Sequence, residues 1–169
     1  MTATIAPGIP SSPMAKALAT RTLHLVDLEN LVGDPYADGV TAAAVFDQYL
    51  QLAHWEPGDL VHVAVNPHLA LEIGWRLPAG CTLRTASGPD AVDQRLLDQA
   101  EPKFVARRFG RLVIGSGDHG FIAHACAART AGVGVLVVAR PGSLANGWRA
   151  WGFPIATLEP HHAPTLVGV

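Results

Sequence analysis

Residues 111–121 read RLVIGSGDHGF, and the interpretation of the whole chain begins from this stretch. The run Leu112-Val113-Ile114 is short and apolar, which is typical of a buried strand, and the Gly-Ser-Gly that follows predicts a tight turn. Asp118 then stands where the next helix would begin. A carboxylate in this place lies at the C-terminal end of a core strand, the edge at which open α/β sheets hold their ligands.

Two further stretches place acids in the same kind of position. Residues 23–30 read LHLVDLEN, so that an apolar run leads into Asp27; if the strand continued, alternation would put Glu29 on the same side as Asp27. Asp90 follows a glycine turn, and Asp93, three residues later, shares a helix face with it.

Each acid also has a purely structural interpretation. Asp27, Asp90 and Asp118 each precede a segment that they could cap, and an acid in the first helical turn complements the helix dipole. Asp93 has less need to be there for structure. Three strand exits that each supply a carboxylate nevertheless predict an acidic cluster at one edge of a sheet.

Strands and helices alternate along the chain. Predicted strands cover 23–26, 60–65, 81–85, 112–115 and 133–139, and 155–158 is a candidate for a last one. Predicted helices cover 42–53, 66–75, 91–109, 121–130 and a short segment ending near 148. Thr41 is the expected N-cap of the first helix, Pro102 is expected to interrupt the third, and 28–39 is expected to be a loop. This order predicts an α/β, three-layer Rossmann-like fold with a mostly parallel sheet of about five strands.

Length and composition predict one packed domain. The chain has 169 residues, of which 49% are hydrophobic, and we expect a domain over 22–158 between tails at 1–21 and 159–169. No apolar run approaches the ~18 residues that a membrane span requires. The proline-containing N-terminus lacks the apolar core of a signal peptide, so we expect a cytoplasmic protein without a membrane partner.

Charge and cysteine content exclude some classes of protein. The net charge of −2 argues against a high-affinity, non-specific nucleic-acid binder, although an enzyme with a local basic rim fits it. Cys81 and Cys126 are far apart and fit reduced, buried thiols better than a disulfide framework or a zinc site.

An acidic cluster points to a divalent cation. Carboxylates within a few Å of one another repel, and a cation or partial protonation must compensate. Hard oxygen ligands select Mg²⁺ or Mn²⁺, and such a metal can orient water and neutralise charge that builds up on a phosphodiester.

Three motifs resemble those of the NYN domain family, which belongs to the PIN-like group of metal-dependent nucleases. Residues 25–31, LVDLENL, look like the first strand of the family, with Asn three positions after Asp. Residues 87–93, SGPDAVD, resemble the middle motif, and 114–121, IGSGDHGF, resemble the Ser-Gly-Asp-x-Asp-Phe signature. The order and spacing of the three motifs carry the resemblance over roughly residues 22–158.

The resemblance implies a PIN/NYN fold and a metal-dependent ribonuclease in which water attacks an RNA phosphodiester. Asp27, Asp118 and Asp93 (or Asp90) would be the metal ligands, and Asn30 would help to position the metal or the phosphate. The implied cofactor is Mg²⁺ or Mn²⁺, and the implied partner is RNA. PIN-like domains often pair, so a homodimer is a further expectation.

One position departs from the family pattern. Gly120 stands where the signature has its second Asp, with His119 beside it, and Glu29 is a candidate for a substitute carboxylate. The alternative is therefore a non-catalytic NYN-like module that binds RNA or a protein through a degenerate site. A nucleotide-binding Rossmann protein is a weaker third option, because the Gly-x-Gly-x-x-Gly at 115–120 places an acid where a pyrophosphate would approach.

The remaining candidates are side chains that could contact a substrate, and each has a structural alternative. The substrate candidates are Asn66, Ser116, His119 and Arg140, with Arg149 as a second phosphate contact and Trp148 and Trp151 as base-stacking platforms or packing residues. Arg107, Arg108 and Arg111 precede a strand at the opposite edge and are interpreted as a solvated face.

Overall fold

A six-stranded parallel sheet runs through the centre of the protein. The computed structural model describes residues 21–85 and 91–160. The strands are β1 (Thr22–Asp27), β2 (Leu60–Val65), β3 (Cys81–Thr85), β4 (Arg111–Gly115), β5 (Gly134–Ala139) and β6 (Ile155–Thr157), and their order in the sheet is β3-β2-β1-β4-β5-β6. The α/β prediction is confirmed, and the candidate strand at 155–158 is the sixth strand.

Helices cover both faces of the sheet. They are α1 (Leu28–Val32), α2 (Gly39–Leu52), α3 (Pro67–Ile73), α4 (Ala91–Leu97), α5 (Pro102–Arg108), α6 (Ile122–Thr130) and α7 (Asn146–Ala150), with a 3-10 turn at His119–Phe121. One apolar core lies under α1, α2 and α3, and a second lies under the helices from α4 to α7. Burial on both faces explains the nearly continuous apolar runs of the central strands.

The strand order reverses between β1 and β4. Chain connections leave β1 in one direction along the sheet and β4 in the other, so a crevice opens between the C-terminal ends of these two strands. The register pairs Val26 with Gly115, which brings Asp27 and Ser116 next to each other. Topology therefore places two of the predicted acidic exits at the crevice.

The predicted loop at 28–39 is wrong in its first half. Leu28–Val32 is the helix α1, which Asp27 caps at its start and Gly33 ends with a φ of 79°. Five residues are too few to show helical periodicity, so the sequence pattern alone does not indicate this helix. Because the chain turns into α1 directly after Asp27, strand alternation does not apply to Glu29.

The expected N-cap of α2 is also wrong. The helix begins at Gly39, and the Asp38 carboxylate accepts hydrogen bonds from the backbone N–H groups of Val40 and Thr41, each at 2.8 Å. Both Asp and Thr cap helices well, and the chain selects the earlier residue. The predicted interruption near Pro102 is confirmed, because α5 begins at this proline.

A buried histidine of β1 contacts two polar side chains. His24 is fully buried, and its two ring nitrogens lie 2.9 Å from the Tyr49 hydroxyl and 3.3 Å from the Asp59 carboxylate. Burial lowers the pKa of His24 despite the opposing effect of Asp59. Arg111 donates to the carbonyl of Ala53 at 2.9 Å and is half-buried, so its interpretation as part of a solvated face is wrong.

The longest helix, α2, has 14 residues. Across the described ranges, none of the helices combines the length and the apolar character needed to cross a bilayer. The expected tails at 1–21 and 159–169 fall almost entirely outside the described residues.

Candidate functional site

Asp27 ends β1 at the crevice. Its side chain is 7% exposed; Oδ1 accepts from the backbone N–H of Asn30 at 3.1 Å, and Oδ2 accepts from the Ser116 hydroxyl at 3.3 Å. The carboxylate therefore caps α1, which is the structural interpretation of this residue. A cap needs only one of the two oxygens, and the second is directed to the other side of the crevice.

The loop after β4 is held in place by polar contacts from β1 and α1. The Ser116 hydroxyl is fully buried and accepts from the backbone N–H of Asp118 at 3.1 Å. The Asn30 side-chain oxygen accepts from the backbone N–H of Gly117 at 2.9 Å. Asn30 and Ser116 therefore position the backbone of the two strand exits relative to each other.

Trp148 binds the same loop through its indole N–H. It is fully buried on α7, and its indole Nε1 donates to the carbonyl oxygens of Gly117 at 3.1 Å and Asp118 at 3.0 Å. A Cβ on Gly117 would meet the backbone carbonyl of Ser143, with the carbonyl carbon at 2.7 Å, so only glycine fits there. Trp148 is thus a packing residue and not a surface platform for bases.

Asp93 and Asp118 meet around Gly120. A Cβ built on Gly120 would lie 3.3 Å from Oδ1 of Asp118 and 3.4 Å from Oδ2 of Asp93. Asp118 Oδ1 also accepts from the backbone N–H of Gly120 at 2.7 Å, which caps the 3-10 turn. The structure therefore brings Asp93 and Asp118 together on either side of Gly120, which has no side chain of its own.

The surroundings of Asp27 disfavour the ionised form of its carboxyl group. Burial raises the pKa of Asp27 to about 7; the N–H of Asn30 opposes the rise, and the charges of Asp93 and Glu29 add to it. Oε1 of Glu29 is buried and has no hydrogen-bond partner among the described residues. A divalent cation would lower the free energy of such a group of carboxylates.

The donor chemistry fits Mg²⁺ or Mn²⁺, because every candidate ligand is a carboxylate oxygen. Among residues 21–85 and 91–160, no three His, Cys, Asp or Glu side chains stand in an arrangement ready to hold a metal ion. Asp90 lies outside the described residues. The structure thus supplies an acid from each motif without a complete set of ligands.

Arg140 reaches the crevice from the end of β5. Its Nε donates to the carbonyl of Asn30 at 3.3 Å, and a Cβ on Gly33 would stand 2.6 Å from the same nitrogen. The guanidinium therefore packs on the end of α1.

The remaining candidates for contact with a substrate are Asn66, His119 and Arg149. Asn66 caps α3 through its side-chain oxygen, which accepts from Leu69 at 2.8 Å, and its amide donates to Pro35. His119 is exposed, with Nδ1 3.1 Å from Oδ1 of Asp118. Arg149 is exposed on α7.

A groove of about 560 Å³ lies elsewhere on the protein, between the end of α2 and strands β5 and β6. Gln48, His54 and Arg111 line it, together with Leu136 and Ala156. None of the candidate site residues belongs to it. The acids of the crevice are a better guide to chemistry than this groove, because they supply groups of defined charge and geometry.

Two contributions to the site could not be predicted from the sequence. The packing interpretation of Trp148 is confirmed by its burial, but its hydrogen bond to the Asp118 backbone could not be predicted, because no local pattern signals a contact across 30 residues. Arg140 was expected near a phosphate, but its packing on Gly33 follows only from the fold. A glycine at 33 could have suggested a close neighbour.

Comparison of the chain with protein-family models, with curated proteins and with solved structures finds no match.

Proposed function

We propose that this protein is a ribonuclease that depends on Mg²⁺ or Mn²⁺ and hydrolyses RNA phosphodiester bonds. One observation carries the proposal: Asp27, Asp93 and Asp118 come from separate parts of the chain and converge at the crevice where the strand order reverses. Burial, together with the charges of Asp93 and Glu29, raises the pKa of Asp27, and a cation bound at the crevice would offset the cost of this buried charge.

In this proposal Asp27, Asp93 and Asp118 hold the metal, with Glu29 as the nearest substitute for the missing fourth acid. When bound, the metal orients the attacking water and neutralises charge that develops on the phosphate. Asn30 and Ser116 keep the strand exits in register. Arg140, whose Nε donates to the Asn30 carbonyl, would contact a phosphate oxygen. Asn66 and His119 would contact the nucleic acid farther out.

RNA as the substrate and a cytoplasmic location are part of the same proposal. The motif resemblance to the NYN family supports RNA. The two cysteines, which are free and half-buried, fit a reducing compartment.

The proposal predicts that the protein cleaves a labelled single-stranded RNA when Mn²⁺ is present and that EDTA stops the reaction. Asp118→Asn should lower the rate by about 100-fold or more, since removing one electrostatic group at a reacting centre costs that much. Asparagine retains the oxygen that accepts from Gly120, so the turn keeps its cap.

Asp38→Asn is the matched control, because Asp38 is also an N-cap but lies on α2. It should leave cleavage unchanged. Cleavage that persists in EDTA or in Asp118→Asn, or no cleavage by the folded protein over a wide range of Mn²⁺ and Mg²⁺ concentrations, would contradict the proposal.

A second candidate function is a non-catalytic module that binds RNA or a protein. It is favoured by Gly120 and by the lack of a ready set of metal ligands among the described residues. The backbone at Gly120 is not in the left-handed region, and the two nearby carboxylate oxygens can shift to admit a side chain.

Gly120→Asp separates the two functions. If the natural site is catalytic, we expect the added acid to raise the cleavage rate by about tenfold, which corresponds to ~1.4 kcal/mol in the barrier. Gly120→Asn, which has the same shape without the charge, should give no increase. Cleavage by Gly120→Asp alone, with none by the natural protein, would establish that the natural site is degenerate and favour the binding module.

A further inference from the structure

The groove between the end of α2 and strands β5 and β6 carries polar groups that the proposed nuclease does not use. Its volume is about 560 Å³, and small-molecule sites usually enclose between about 300 and 1,000 Å³. We call it the α2–β6 groove. Gln48, Gln51 and Arg111 are among its polar lining residues, and the half-buried Leu136 and Ala156 add an apolar surface from two neighbouring strands.

Gln48 has a side-chain oxygen without a hydrogen-bond partner. Its Oε1 is buried and meets no donor among the described residues, although the side chain as a whole is half-buried and lines the groove. A buried acceptor that has lost its hydrogen bonds to water is unfavourable, and a donor on a ligand would remove this cost. Because the last torsion of a glutamine rotates easily, a small rotation turns the amide toward the groove.

The amide of Gln48 suits the edge of a nucleobase. It carries an acceptor oxygen and two N–H donors side by side, so it can accept from one ligand atom and donate to the next. Adenine presents an N–H donor beside a ring-nitrogen acceptor, and glutamine binds this edge through both. Such a pairing would satisfy the orphan oxygen of Gln48.

Arg111 supplies a positive charge that no described acid pairs with. The side chain is half-buried, and Nη1 donates to the carbonyl of Ala53 at 2.9 Å. Neither of the ion pairs formed among the described residues includes Arg111. A guanidinium has five N–H donors in a planar fork that matches a phosphate, so donors remain for an anion in the groove.

Simpler ligands match only part of this lining. An inorganic anion would pair with Arg111 but leave Gln48 and the apolar strands without a partner. A fatty acid would lack a donor for Gln48. A nucleoside monophosphate carries a phosphate, a base edge and a flat ring that can lie on the apolar strands. Thr157 and the exposed Glu159, which also line the groove, can bind the sugar hydroxyls.

We infer that the α2–β6 groove binds an adenine mononucleotide, with the base edge on Gln48 and the phosphate on Arg111. The acids of the crevice do not line the groove, so this site is separate from the proposed nuclease site and does not depend on it.

The test is isothermal titration calorimetry of the full chain with adenosine monophosphate in a buffer that contains EDTA. Binding should occur at a single site with a Kd in the micromolar range. Adenosine lacks the phosphate and ribose 5-phosphate lacks the base, so each should bind about tenfold more weakly or worse. EDTA keeps metal ions out of the crevice, and RNA cleavage is measured separately with Mn²⁺. A failure of the groove inference is thus distinguished from a failure of the nuclease proposal.

Two substitutions assign the two ends of the ligand. Gln48→Leu should weaken binding of adenosine monophosphate about tenfold or more and leave that of ribose 5-phosphate unchanged. Arg111→Gln, which keeps a donor for the Ala53 carbonyl, should weaken binding of the nucleotide to a similar extent and leave that of adenosine unchanged. Since Gln48→Leu removes an unpaired buried oxygen, thermal unfolding should not begin at a lower temperature.

Arg107→Gln is the matched control, because it makes the same change at an exposed arginine of α5 that does not line the groove. It should bind adenosine monophosphate as the natural protein does. The inference is overturned if the natural protein fails to bind this nucleotide at concentrations up to about 1 mM. It is also overturned if adenosine binds as tightly as the nucleotide, or if both Gln48→Leu and Arg111→Gln retain full affinity.

Discussion

Replacing Asp27 by asparagine is expected to abolish RNA cleavage and, at the same time, to stabilise the metal-free protein at pH values above 7. The side chain is 7% exposed, and burial together with nearby acids raises its pKa to about 7 from the ordinary value of 3.8. Asparagine keeps the oxygen that caps α1 but removes the buried charge. The loss of cleavage should be about 100-fold or more.

The stability effect has a definite pH dependence. Because the folded pKa of Asp27 is above its unfolded pKa, the favourable contribution of the neutral carboxyl is complete below about pH 3.8 and is lost as the pH rises through about 7. This rise in the pKa corresponds to on the order of 4 kcal/mol in the free energy of unfolding. The gain from Asp27→Asn should therefore grow between these two pH values and be constant above them.

Urea unfolding of both proteins in EDTA, at a series of pH values, measures this gain. Groups that do not interact with Asp27, such as His24, titrate alike in the two proteins and cancel in the difference. If Mn²⁺ is then added, the natural protein should gain stability and Asp27→Asn should gain much less. A variant that is less stable than the natural protein at every pH, with cleavage unchanged, would show that Asp27 is only a helix cap.

Trp148→Ala is expected to lower the free energy of unfolding by about 3–5 kcal/mol, the usual cost of truncating a buried aromatic side chain. Trp148 is fully buried, packs edge-to-face on Phe153 with ring centres 5.4 Å apart, and donates to two carbonyls of the loop that carries Asp118. The cavity left by the substitution and the loss of the indole donor both destabilise the loop at Gly117 and Asp118. We therefore expect cleavage to fall even in the folded fraction of the protein.

Two variants make the Trp148 prediction specific. Trp151→Ala removes a tryptophan that is 56% exposed on the same helix end, and it should change the stability by less than about 1 kcal/mol. Trp148→Phe keeps a ring but removes the indole N–H, which should cost about 1–2 kcal/mol and reduce cleavage through displacement of the Gly117–Asp118 backbone. Cleavage unchanged in Trp148→Phe would show that the tryptophan supports the core without positioning the site.

The role of Trp148 is an example of what the local sequence pattern could not decide. A tryptophan in a short helix near the acidic edge has the same local pattern whether it stacks on a base or fills the core. Only the position of α7 against β4 and β5 decides between the two, and this position depends on contacts between residues far apart in the chain.

The sequence by itself determined the strands and the acids at their ends. Leu60–Val65 has the bounds that its largely apolar run predicts, because a strand buried on both faces is largely apolar. Cys81–Thr85 is a half-exposed edge strand, and its flanking turns predict its bounds. Asp27 and Asp118 could be placed at the C-terminal edge because all strands of a parallel sheet point the same way.

Only the tertiary structure decided which of these groups meet. The order β3-β2-β1-β4-β5-β6 opens the crevice beside Asp27, and the approach of α4 to the 3-10 turn brings Asp93 to Asp118 across Gly120. The raised pKa of Asp27 likewise arises in part from neighbours distant in sequence. Burial and charge proximity are properties of the packed chain, whereas strand and turn patterns are local, and this difference separates what could be predicted from what could not.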